Sequence, residues 1–146
     1  MKLVAPLAAV AFVALALASL SSASMSVAYK ASLTAGAEVP KPTVAAPHAK
    51  GSFTATLTGH KLSWKLTYSG LTGKANAAHI HMGAKGKAGN VVVPLCGAQP
   101  ACKSGLSGTA TLTAQTLSWL KKGQLYVNVH TGKNLNGEIR GQIAAG

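Results

Sequence analysis

The chain has 146 residues, with 14 Lys and Arg against 2 acidic side chains and a formal net charge of +12. It contains no aspartate, which excludes a Ser–His–Asp triad and leaves Glu38 and Glu138 as the whole stock of side-chain carboxylates. Such an excess of cations favours acidic partners, but the lysines are scattered and no nucleic-acid motif accompanies them, so a nucleic-acid partner is not expected.

The N-terminus reads as an address. Met1-Lys2 is a short positive start, residues 3–20 are apolar and alanine-rich, and Ser21-Ser22-Ala23 fits the small-x-small rule for signal peptidase. A membrane anchor is the competing reading, but no basic stop-transfer cluster follows. Cleavage is expected after Ala23, or alternatively after Ala28, and no cysteine stands there to carry a lipid. The expected product is a secreted or periplasmic protein with no transmembrane segment. Its length suits one domain over residues 29–146 with a modest core.

The mature chain reads as strands nearly throughout. Residues 30–34 form the first, and residues 36–51, with Pro40, Pro42 and Pro47, read as a long ordered connection. Residues 52–58 alternate, with Phe53, Ala55 and Leu57 inward. Gly59-His60 then suits a two-residue type II′ turn. Residues 61–68 resume the alternation with Leu62, Trp64, Leu66 and Tyr68 inward.

Further strands are expected at 77–81, 91–95 and 108–113. One short helix is expected at 115–122, ended by Lys121, Lys122 and Gly123, and final strands at 124–131 and 137–143. Seven or eight short strands without a βαβ rhythm imply an all-β antiparallel sandwich or barrel. Cys96 and Cys102 flank five residues, which in an exported chain reads as a local disulfide worth roughly 2–2.5 kcal/mol at most. A two-thiolate metal site is the alternative, without evident partners.

Three sets of side chains carry candidate chemistry. His79 and His81 are two apart on a strand and share a face; Tyr126, Asn128 and His130 likewise share one. If the two strands pair in suitable register, His79, His81 and His130 converge as three imidazoles, a donor set for copper or zinc, with Met82 close enough in sequence to point to Cu(I). The competing reading makes them structural, bonded to backbone and packing the loop at 83–89. Glu138 and Arg140 also share a strand face and are expected to satisfy one another and clamp a neighbouring loop, with Glu38 near Arg140 or a lysine. Glu138 as a general acid would need Glu38 as its partner. Gly83, Gly86 and Gly89 lack a phosphate-binding fingerprint.

In order along the chain stand Leu33, Ala37-Glu38-Val39-Pro40, Gly51, His79-Ile80-His81 with Gly83, Gly86 and Gly89, and residues 91–95. Residues 126–131 and Gly137-Glu138-Ile139-Arg140-Gly141 complete the set. Together they resemble the chordin-type (CHRD) domain, from about residue 30 to 143. The resemblance implies an immunoglobulin-like β-sandwich or barrel distantly like copper/zinc superoxide dismutase, and no established activity. Superoxide dismutase chemistry itself is not expected, because it needs a larger histidine set and an aspartate. The expectation is therefore a non-enzymatic exported module that meets a protein or an anionic envelope polymer, with copper or zinc binding as the alternative.

Overall fold

The computed structural model describes residues 24–146, so the expected leader lies outside the described residues. Nine strands and one helix follow: β1 (Ser26–Thr34), β2 (Lys50–Thr58), β3 (Lys61–Ser69), β4 (Ala75–Met82), β5 (Val91–Cys96), β6 (Leu106–Thr111), α1 (Ala114–Lys121), β7 (Leu125–Thr131), β8 (Ile139–Gln142) and β9 (Ala144–Ala145). The strand order is β5-β4-β7-β8-β1-β2-β3-β6, with β9 against β1, and each adjacent pair is antiparallel. The result is a nearly closed eight-stranded barrel or sandwich of two four-stranded halves. They meet at β1 and β8 through the single register pair Thr34↔Arg140.

The hairpin of β2 and β3 forms as its alternation dictates. Phe53 faces Leu66 and Ala55 faces Trp64 across the ladder, and Phe53, Leu57, Leu62 and Leu66 are buried. Phe53 and Trp64 also stack, with ring centroids 6.5 Å apart. Gly59 has φ 59° and no non-glycine residue among those described has positive φ, which is the sign pattern of the type II′ turn rather than I′. From the other half, Ala78, Ile80, Leu125, Val127, Val129 and Ile139 complete the apolar interior.

The helix is capped as its sequence asks: the Thr113 side chain accepts from Thr116 N at 3.1 Å, and Leu120 enters the core. Between β1 and β2 lies a 3-10 turn at Ala35–Ala37 followed by irregular chain, in agreement with the proline-rich connection. Cys96 and Cys102 are joined as a disulfide with Cα atoms 5.1 Å apart. Several elements differ from expectation: β1 begins at Ser26 rather than residue 30, and β6 spans Leu106–Thr111 rather than 108–113. The last strand is only four residues long, and β9 adds a short pairing on Tyr29 and Lys30. No helix among the described residues is long and apolar enough to cross a membrane.

Phe53 is fully buried at the centre of the β2–β3 ladder. Phe53→Ala is expected to lower unfolding free energy by about 3–5 kcal/mol in a urea titration, and a cost below about 1 kcal/mol would remove this ladder from the core.

Candidate metal centre

The β4–β7–β8 sheet has an apolar face and a polar face, because alternate residues of a strand point to opposite sides. Its apolar face is the interior just described. The other face presents rows set by register: His79 beside Asn128 and Arg140, and His81 beside Tyr126 and Gln142. His130 pairs with Ala77 one row further along, diagonal to His79.

This polar face is covered by loops that bond to it. Arg140 Nη2 donates to the carbonyls of Ala84 (3.1 Å) and Lys87 (2.8 Å). Gln142 Nε2 donates to Gly83 O and Gly123 O. Tyr126 stacks with the His81 ring at 5.0 Å and 10°, and the Arg140 guanidinium sits 3.4 Å from the Tyr126 ring centre. Gly89 allows the closure of the 83–89 loop, since a Cβ there would fall 1.7 Å from the Met82 carbonyl oxygen.

The three imidazoles expected to converge do so. One nitrogen from each of His79, His81 and His130 lies within 4.8 Å of the others. His81 Nδ1 stands 2.9 Å from Gly89 O and His130 Nδ1 2.8 Å from Leu135 O. A carbonyl only accepts, so both Nδ1 atoms carry the proton and both Nε2 atoms present lone pairs. His81 Nε2 is buried without a hydrogen-bond partner, and His130 Nε2 lies 3.1 Å from His79 Nδ1.

Two nitrogens 3.1 Å apart, each at about 2.0–2.1 Å from one ion, subtend roughly 100°, close to tetrahedral. Tetrahedral ligation at that bond length sets each nitrogen pair about 3.3–3.4 Å apart, so a pair as wide as 4.8 Å would have to close by more than about 1 Å to share an ion. The donor set fits copper or zinc, and backbone carbonyls already hold two rings in the tautomer that metal ligation uses.

Electrostatics keeps these rings neutral. Burial lowers His79 to about 4, helped by repulsion from His130 and His81. His81 is lowered by burial, with Arg140 adding to it, against the raising influence of the Gly89 carbonyl and the neighbouring Asn128 amide. His130 is lowered by burial and by His81, against the Leu135 carbonyl. Glu38, buried beside this face, is pushed up to about 7 by burial despite the nearby Arg140, the Val39 N–H and Asn128.

Glu138 and Arg140 do not satisfy one another, contrary to expectation. Glu138 Oε1 accepts from Thr72 N at 2.6 Å; Oε2 accepts from Thr72 Oγ1 and Thr131 Oγ1 at 2.6 Å and from Asn134 Nδ2 at 2.9 Å. Glu138 precedes the first residue of β8, so its side chain serves the β3–β4 connection and the β7–β8 turn while Arg140 serves the 83–89 loop. Asn134 extends the clamp, bonding both the N–H and the carbonyl of Val44. Thr72, Thr131 and Asn134 escaped the sequence reading. The turn-rich run Thr131-Gly132-Lys133-Asn134 was the available signal.

Met82 also departs from expectation. It shares the parity of Ala78 and Ile80 and packs against the apolar cluster, on the opposite side of β4 from His79 and His81. Asn128 does sit in the histidine row, buried, with Oδ1 lacking a hydrogen-bond partner.

An antiparallel β module of this size, with a histidine-bearing polar face roofed by loops, defines a class of small all-β domains. The CHRD domain family model matches residues 29–143, and the chain belongs to that family. No curated protein and no solved structure matches it.

Burial alone would raise the Glu138 carboxyl, but the bonds from Thr131, Thr72 and Asn134 outweigh it and hold the group below its ordinary value of 4.5. Its stabilisation is therefore present above pH 4.5 and lost as pH falls through the lowered value. Glu138→Gln, which turns an amide N–H₂ toward these donors, is expected to cost roughly 2–4 kcal/mol at pH 7. The gap from wild type should narrow below pH 4 in denaturant titrations; a pH-independent gap, or none, counts against the clamp.

Proposed function

We propose that this chain is an exported, non-enzymatic CHRD module that binds one copper or zinc ion through His79, His81 and His130. The observation that carries the reading is the buried, unpartnered Nε2 of His81 facing two further imidazoles whose pKa values are likewise depressed. An acceptor lone pair buried without a partner is costly, and a bound cation removes that cost. Neutral nitrogen donors suit copper and zinc better than calcium or magnesium. In the metal-free protein His79 Nδ1 donates to His130 Nε2; ligation by that same atom needs His79 protonated at Nε2 instead. The non-enzymatic part rests on the carboxylates: Glu138 is buried and fully engaged by hydrogen bonds, which leaves Glu38 without the second carboxylate that acid/base hydrolysis requires.

Export is supported by the leader-like residues 1–23. Cleavage after Ala23 leaves β1 whole, whose ladder begins at Ser26↔Thr58, whereas cleavage after Ala28 removes three of its residues. Mass spectrometry of secreted or periplasmic material is expected to place the mature terminus at Ser24. Retention of Met1 would end the export reading.

For the metal, titration of chelator-stripped protein with Cu²⁺ or Zn²⁺ is expected to show one site per chain. His79→Ala and His130→Ala should each weaken it by more than ~10-fold with unchanged circular dichroism. Wild-type binding no tighter than millimolar, or equal binding by His79→Ala, sinks the proposal.

A further inference from the structure

The distribution of charge is more one-sided than the composition reveals. Both glutamates and the single arginine are buried, whereas all twelve lysines among the described residues are exposed. The described surface thus bears cationic side chains and no acidic one.

Four of these lysines belong to one sheet face. On the outer side of β1–β2–β3–β6 the register sets Lys30, Thr54, Lys65 and Ser107 in a row across all four strands. The next outward row is Ala28, Thr56, Ser63 and Thr109. These rows line a shallow groove of about 670 Å³, with Gly146 at its β1 end. Lys50 and Lys61 project from the same face at opposite ends of the β2–β3 ladder. Apart from Ala28, every outward side chain of β1, β2, β3 and β6 is Ser, Thr or Lys.

We infer that this face binds an acidic polysaccharide chain, laid across the strands. Lysine ammonium groups at Lys30 and Lys65 flank the middle strand and suit carboxylates spaced along a polymer, while the short hydroxyls between them suit sugar hydroxyl groups. No outward side chain on the face is acidic, so none there repels a polyanion. Nucleic acid is disfavoured because single-stranded binders add aromatic side chains on which bases stack, and this face exposes none. The surface belongs to the half of the barrel opposite His79, His81 and His130, so the inference stands independently of the metal reading.

The test uses full mature protein with polygalacturonate as the probe, over a range of salt concentrations. Wild type is expected to bind, with affinity falling steeply as salt rises. Lys30→Gln/Lys65→Gln should reduce the slope of log affinity against log salt by roughly 1–2, whereas Lys121→Gln/Lys122→Gln, the same charge removed from the end of α1, should leave it nearly unchanged. Thr56→Val should weaken binding at unchanged slope, which reads hydroxyl recognition apart from charge. Equal losses for the two lysine pairs would reduce the effect to diffuse charge and overturn the assignment. So would tighter binding to single-stranded DNA than to polygalacturonate, or no binding at low salt.

Discussion

The buried carboxylate of Glu138 is the constraint on which the histidine-bearing half of the molecule depends. A carboxylate removed from water is costly unless its lone pairs are filled, and here four donors fill them from Thr72, Thr131 and Asn134. Those donors come from two different connections, and Asn134 reaches a third through Val44. One anion therefore fixes three irregular segments that have little apolar surface with which to hold themselves. It also fixes the β7–β8 turn, and that turn supplies the Leu135 carbonyl that orients His130.

Arg140 performs the complementary task two residues later. Its guanidinium ties down the 83–89 loop through Ala84 and Lys87 and lies over Tyr126. That loop delivers the Gly89 carbonyl to His81. Each ring whose tautomer is set by a backbone carbonyl thus owes that carbonyl to a loop held by one of the two buried charges. Burial then keeps all three imidazoles neutral. A surface histidine would divide its time between protonation states near neutral pH; these rings stay neutral, and the His81 Nε2 lone pair has no hydrogen-bond partner.

The sequence made the strands legible because a period of two is written residue by residue in stretches such as Phe53 to Leu57 and Leu62 to Leu66. The same periodicity placed His79 with His81 and Tyr126 with His130, and only the register between β4 and β7 remained to be supplied. Partner choice was less legible. Glu138 and Arg140 have the spacing of an ion pair, yet Glu138 stands just before β8 begins, and three hydroxyl and amide donors elsewhere in the chain outcompete the guanidinium. Met82 failed for a simpler reason: adjacency in sequence puts a strand residue on the opposite face from its neighbour. Thr72 and Asn134 are 62 residues apart, and no local pattern links them.

The two glutamates divide the molecule's electrostatics into an inside and an outside. Placing Glu138 in the interior lets the loops be pinned by charge-assisted hydrogen bonds, and the burial of both glutamates strips the surface of every acidic side chain among the described residues. Lysines left without acidic side chains beside them form no ion pair with one among the described residues and remain available to external anions. In this fold internal order and external cationic character follow from one arrangement. Moving Glu138 outward would loosen these loops and weaken the attraction to polyanions together.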